Sequence, residues 1–230
     1  MEYLHNGFSL YIPHGAFPLS TDTMLLADFV KLPKNAEVLD LGSGCGSLGL
    51  LLCAKDDTCH ITGLELDKGA HEAALENAEQ NNLTDRLQSI CVDLRQAAQL
   101  FPKGSFRCCV SNPPYFSGGP ASKTLAVARR DDHCTAEDLF AAAAITLKYG
   151  GDFFLVHRPE QLAHLCACAA KCGLEPKRLR LVRHRSDGPV ALILLQCRKG
   201  GKPGLKWEEI CLFDRDGQPT ADYNRIYHID

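Results

Sequence analysis

Apolar runs of strand length alternate along this chain with longer stretches whose apolar residues recur at helical spacing. Glu37-Val38-Leu39-Asp40-Leu41 predicts a short buried strand, and Gly46 to Lys55 predicts the helix that follows it. His60 to Glu65 reads as a second strand. Lys68 to Asn81 reads as a helix with Ala70, Ala73, Ala74, Leu75 and Ala78 on its apolar side. Leu87 to Val92 and Phe106 to Val110 give a third and a fourth strand. Thr135 can cap an alanine-rich helix from Ala136 to Leu147, because its hydroxyl can accept an orphan backbone N–H of the first turn. Gly151 to His157 is a fifth strand. Pro159 suits the first turn of a helix running to Lys171, where its missing N–H costs nothing.

Strands alternating with helices at this spacing make a doubly wound α/β fold, with a mostly parallel sheet between helical layers. The rhythm then changes. Pro176 to Arg185 and Val190 to Arg198 are extended runs with no helix between them, and Asp187-Gly188 is a turn signal. An antiparallel C-terminal hairpin is therefore expected on the sheet. The loop Gly200-Gly201-Lys202-Pro203-Gly204 follows, then one more extended run from Leu205 to Phe213 and a turn at Asp214 to Gly217. No repeat or long linker breaks the chain. One domain over 33–230 is expected, with 1–32 as an N-terminal cap.

Composition adds exclusions. The 230 residues are 45% hydrophobic and 23% charged, which are globular proportions. The net charge of -3 hides an uneven distribution. Between Lys177 and Lys206 stand nine basic residues (Lys177, Arg178, Arg180, Arg183, Arg185, Arg198, Lys199, Lys202, Lys206) against the single acid Asp187. The N-terminus lacks the basic-then-apolar pattern of a signal peptide, and no apolar run has membrane-spanning length. The twelve cysteines lack the paired spacing of a zinc site, and several lie within apolar runs, as Cys53, Cys91, Cys108 and Cys197 do. Reduced, structural thiols in a cytoplasmic protein without a metal are expected, as a monomer or weak homodimer.

Chemistry enters at Asp40-Leu41-Gly42-Ser43-Gly44-Cys45-Gly46, where a strand meets a helix. Glycines there let backbone approach a ligand or take positive φ, and the helix start offers N–H groups to an anion. Gly44-Cys45-Gly46-Ser47-Leu48-Gly49 also satisfies the dinucleotide pattern GxGxxG. A carboxylate at Asp40 opposes a pyrophosphate and suits a ligand bearing an ammonium and a sulfonium. A methyl donor, a dinucleotide and a ligand-free turn all remain open on this loop alone. Glu65 and Asp93 close the next two strands, where open α/β sheets bind ligands. A carboxylate at Glu65 can accept from ribose hydroxyls, and one at Asp93 from an adenine amino group.

Ser111-Asn112-Pro113-Pro114-Tyr115-Phe116 follows the fourth strand. Two consecutive prolines stiffen this loop, since neither can continue a ladder or a helix. An amide or aromatic NH2 is a poor nucleophile because its lone pair is delocalised. The Asn112 side-chain carbonyl and the Pro113 main-chain carbonyl can both accept from such an amine and favour its pyramidal form. Tyr115 can stack on a planar substrate. Phe116 and Ser117 to Lys123 read as a flap beside the pocket. His157 has no ligand-spaced partner and reads as structural.

These motifs together resemble the class I methyltransferases that modify exocyclic or amide nitrogens, which implies a Rossmann-like sheet of seven strands. His133 to Ala144, Leu155 to Leu162, Glu175 to Val182, Lys199 to Lys206 and the tail Tyr223 to Tyr227 are similar to the bacterial tRNA1(Val) adenine-N6-methyltransferase family. The resemblance implies that S-adenosylmethionine binds at Asp40, Gly42, Ser43, Gly44, Gly46, Glu65, Leu66, Asp93 and Leu94, with Asn112 at its edge. Ser20-Thr21-Asp22 resembles the segment that contacts the methionine part, through Thr21. Asn112, Pro113 and Tyr115 would be catalytic, holding the adenine. Pro114, Phe116, Arg178, Arg180, Lys199, Lys202 and Lys206 would contact the tRNA. A protein-glutamine N5-methyltransferase fits the same amine logic, but leaves the basic C-terminal stretch unexplained. An RNA-binding module without activity leaves the acids and the Asn-Pro-Pro-Tyr element unexplained.

Overall fold

The computed structural model describes residues 2–4, 7–15, 17–113 and 134–228. Two short strands, β1 (Glu2–Tyr3) and β2 (Ser9–Leu10), pair antiparallel ahead of helix α1 (Thr21–Phe29). The alternating core follows: β3 (Glu37–Leu41), α2 (Ser47–Lys55), β4 (His60–Glu65), α3 (Lys68–Gln80), β5 (Leu87–Cys91), the short α4 (Ala97–Leu100) and β6 (Phe106–Ser111). Next come α5 (Ala136–Thr146), β7 (Leu147–His157), α6 (Leu162–Lys171), β8 (Leu174–Arg185), β9 (Val190–Lys199), β10 (Lys206–Phe213) and α7 (Ala221–Tyr227). Thr135 caps α5 as expected, and Asp138 returns the bond to close a capping box.

The main sheet has the order β10-β8-β9-β7-β6-β3-β4-β5. The chain leaves β3 toward β4 and β5, then crosses back to place β6 and β7 on its other side. The order reverses between β3 and β6, which opens a crevice beyond their carboxyl ends. The hairpin β8–β9 joins as expected, with β9 antiparallel to both β7 and β8. The count of seven strands is corrected to eight, because Lys206–Phe213 adds to the edge parallel to β8. Because β9 ends beside the start of β8, the Gly200–Leu205 loop has only to pass that end of β8 for β10 to run parallel to it on the other side.

β7 shows how the two layers are built. Its side chains alternate between faces, so Phe154 and Val156 join the core under α1 and α2, while Phe153 and Leu155 join the one under α5 and α6. Phe29 meets Phe154 edge-on at 6.1 Å, and Phe140 meets Phe153 at 5.2 Å. Glu137 of α5 and His164 of α6 are 3.7 Å apart, and the His164 ring lies 3.7 Å from the Cys168 thiol, linking the two helices.

Helix α1 is anchored at its far end. Lys55 donates to the carbonyls of Ala27, Asp28 and Val30 at 2.9, 2.9 and 2.7 Å, satisfying groups that end the helix. Asp28 accepts from Arg180 at 2.5 Å and also from Arg225. The Arg178 and Arg180 guanidinium groups lie over the Phe29 ring at 4.3 and 5.1 Å. The N-terminal segment is held by α3. Asn77 accepts from Tyr11 N–H and donates to the Tyr11 and Cys45 carbonyls, and Asn81 brackets Ser9 in the same way.

Candidate active site

The glycine loop between β3 and α2 takes left-handed backbone at Gly42, Gly44 and Gly46, with φ of 76°, 55° and 78°. A Cβ at Gly42 or Gly44 would meet open space, whereas one at Gly46 would press on Ala74 at 3.4 Å. The first two glycines therefore border a cradle, and the third packs the helix start against α3. The loop is stitched to β4. Gly42 and Ser43 both donate to the Leu64 carbonyl, at 2.9 and 3.0 Å.

Ser43 turns its side chain toward β4. Its hydroxyl is buried without a hydrogen-bond partner and sits where a Cβ on Gly63 would reach, 2.4 Å away. The side chain thus tucks against β4 rather than into the cradle, and glycine at 63 is what admits it. Sequence reading missed Gly63, because a glycine inside an apolar strand has no local signal for its opposite number.

Asp40 sits on β3 and is 1% exposed. Its Oδ2 has no hydrogen-bond partner. Burial, reinforced by the neighbouring Glu65 charge, pushes its carboxyl up to about 7. Glu65, at the end of β4, accepts from Gly44 N–H at 2.7 Å through one oxygen and from Asp67 N–H at 2.8 Å through the other. A carboxylate has further lone pairs, so these bonds orient Glu65 while leaving it able to accept from hydroxyls. Leu66 beside it is 57% exposed, an apolar surface at the cleft rim. Asp93 caps the turn that begins with Leu94, accepting from Arg95 N–H at 2.9 Å, and its carboxylate is paired with the Arg95 guanidinium.

Asn112 and Pro113 stand just past β6. Ser111 ties this strand end to its neighbour by donating to the Leu41 carbonyl at 2.7 Å. Asp40 is in register with Val110. Two residues further along both strands, that register leads to Gly42 and Asn112, so the amine-binding candidate borders the cradle. Adjacent strands lie about 4.8 Å apart. Asn112 Nδ2 donates to Thr23 Oγ1 at 3.0 Å. Sequence reading named Thr21 of this segment. The Thr21 hydroxyl accepts from Tyr227 OH at 2.9 Å, and Thr23 meets Asn112. Helical spacing puts the two threonines on different sides of α1. Pro114, Tyr115, Phe116 and the Ser117 to Lys123 flap lie outside the described residues. His157 is buried, and burial lowers its imidazole to about 4, so it is neutral and accepts from Arg158 N–H at 2.8 Å.

The basic stretch is corrected by topology. Arg180 is 7% exposed and committed to Asp28 and Glu208, and Arg178 stacks on Phe29 and pairs with Glu208. On β8 these two alternate positions face α1, not a nucleic acid. Lys199 donates to the Leu147 carbonyl at the start of β7, which places the end of β9 toward the amino rim; Lys206, the first residue of β10, comes through Arg178, Gln196 and Phe154 into register with Val110, four strand spacings across the sheet from β6. Asn112 is at the carboxyl rim. Along β6, the six steps from Phe106, which pairs with Leu147, to Asn112 span about 20 Å. Lys199 is set apart from Asn112 along the strands, and Lys206 is set apart from it across the sheet.

A family model for the methyltransferase small domain matches residues 18–166. A tRNA1(Val) (adenine(37)-N6)-methyltransferase of Photobacterium profundum is 30% identical over 210 residues, covering 89% of this chain and 87% of the relative. The Vibrio campbellii protein of the same name is 34% identical over 194 residues, covering 84% and 80%. Among solved structures, a predicted O-methyltransferase from Agrobacterium tumefaciens superposes with a TM-score of 0.76 at 20% identity, covering 90% of this chain and 96% of that one. TrmN from Thermus thermophilus gives 0.56 at 20% identity, covering 77% and 48%. At such identities the structures speak for the fold alone. The family match spans the glycine loop, the acid-tipped strands and Asn112 together, and the chain belongs to the tRNA1(Val) (adenine(37)-N6)-methyltransferase family of S-adenosylmethionine-dependent methyltransferases.

Proposed function

We propose that this cleft binds S-adenosylmethionine along the carboxyl ends of β3, β4 and β5 and presents the N6 amine of a tRNA adenine at Asn112 and Pro113. The observation that carries the reading is Asp40, a buried carboxylate oxygen with no partner beside a cradle left open by Gly42 and Gly44. An unpaired buried carboxylate is costly and calls for a cation. The cofactor carries two positive centres, an ammonium and a sulfonium, and supplies a methyl group activated by the second.

The chain's own residues do the positioning. Asp40 and Glu65 set a negative field along the cradle, Glu65 accepts from hydroxyls, and Leu66 offers an apolar surface to a flat ring. Asp93 can accept from an adenine amino group once it shares its carboxylate with Arg95. Asn112 Oδ1 and the Pro113 carbonyl accept from the target amine and hold its lone pair toward the cradle. Orientation of this kind accounts for much of the rate, and no strong general base is required, because the proton is acidified once nitrogen gains its methyl. We assign Tyr115 to stacking on the base. The names of the relatives support tRNA adenine as acceptor, and no observation favours a protein glutamine.

The test is transfer of labelled methyl from S-adenosylmethionine to tRNA, with release factor in parallel and nucleosides identified by mass. Label in N6-methyladenosine is expected. Label in release factor alone would overturn the acceptor, and failure of the cofactor to bind in calorimetry would overturn the site.

A further inference from the structure

We infer that Thr23 is a positioning residue that fixes which end of the Asn112 amide faces the target amine; this rests on the function proposed above. The two ends of a side-chain amide have nearly the same shape and opposite hydrogen-bonding polarity, so packing alone cannot select between them. The proposed chemistry needs the oxygen outward. With the NH2 outward, two donors would face each other and the amine would be repelled.

The structure supplies a selector. Asn112 Nδ2 donates to Thr23 Oγ1 at 3.0 Å, and Thr23 is 6% exposed. A hydroxyl has one proton, and that of Thr23 has a destination, since Ser20 Oγ lies 3.1 Å away. Ser20 is the N-cap of α1 and already acts as acceptor, for Thr23 N–H at 3.3 Å. With the Thr23 proton directed to Ser20, its oxygen is left as an acceptor toward Asn112. The amide nitrogen is drawn to that side, and Oδ1 is turned away from Thr23 toward the cleft. Helix α1 is a stiff base for this arrangement, being fixed at its other end by Lys55, Arg180 and Arg225. The cap of a helix near the start of the chain thus sets the polarity of an amide beyond β6.

The experiment compares wild type with Thr23→Val, Thr23→Ser and Ser20→Ala in steady-state methylation of tRNA, with cofactor affinity measured by calorimetry. Valine keeps the shape and loses the acceptor. Its kcat is expected to fall about ten- to a hundredfold, with KM for tRNA and cofactor affinity within about twofold, because the loss is one of orientation. Serine restores the hydroxyl and is expected to recover kcat to within about threefold of wild type. Ser20→Ala frees the Thr23 proton to donate toward a reversed amide, and an intermediate fall in kcat is expected; this variant decides the matter if the valine protein does not fold. A Thr23→Val enzyme with wild-type kcat overturns the inference while leaving the function intact. Equal losses in valine and serine variants, accompanied by lost cofactor affinity, overturn it in favour of simple packing. A wild-type protein that methylates no adenine overturns the function, and this inference with it.

Discussion

The charges buried under α1 and at the end of β3 are handled in opposite ways. Under α1, Arg180 is enclosed by Asp28 and Glu208, with Arg225 on the far side of Asp28. Every charge there has a partner, and the network ties α1 to β8, β10 and α7. At the end of β3, Asp40 is equally enclosed, yet one of its oxygens has no partner and the charge that acts on it is another carboxylate, Glu65. A paired buried charge holds elements together, while an unpaired one is a cost that a proton or a cationic ligand relieves. The contrast separates the part of the chain that makes the scaffold from the part that makes the site.

Asp40→Asn is the substitution that most directly breaks this contrast. Cofactor affinity is expected to fall about a hundredfold or more, the loss of a charge-assisted contact, read by calorimetry. The ligand-free protein should at the same time melt higher, since a buried charge has been removed. The sign of the stability effect follows from the raised carboxyl, which titrates near 7 when folded against an ordinary value of 3.8. The folded state keeps a proton that the unfolded state has lost, so wild-type stability declines as pH rises from about 4 to about 7. The asparagine variant should therefore gain most above pH 7 and little at pH 4, and a gain independent of pH would contradict the assignment.

Arg180→Ala inverts the pattern. It strips the partner from Asp28 and Glu208 and is expected to cost about 2–4 kcal/mol in denaturant unfolding, with cofactor affinity little changed. A comparable loss of affinity would show that the network belongs to the site after all. A smaller effect concerns pH alone. Because the charged form of Asp40 binds the cationic ligand, cofactor affinity in wild type should rise with pH up to about 7 and then level off, by up to about tenfold per unit on the rising limb. Asp40→Asn should flatten that slope. The smallest effect is expected for Lys202→Glu combined with Lys206→Glu. These lie in and just after the loop that leads to β10, on the sheet edge away from Asn112, so tRNA affinity should weaken several-fold at low salt and less at high salt. Methylation at saturating tRNA should be unchanged, and a fall in kcat would place the loop nearer the base than the sheet allows.

The amino-acid sequence by itself determined the alternation of strands and helices, the glycine loop, the acids at successive strand ends and the Asn-Pro-Pro-Tyr element. All of these are local, since apolar periodicity, turn chemistry and motif spacing are properties of neighbouring residues. The tertiary structure decided what depends on residues far apart in the chain. It gave the basic stretch its meaning, because β8 turns Arg178 and Arg180 toward α1 and β9 carries Lys199 to the opposite rim. It placed Ser43 against Gly63, and it brought Thr23 to Asn112 across 89 residues. A row of cations looks the same in sequence whether it meets phosphate or carboxylate, and only the folded sheet supplies the other half of each pair.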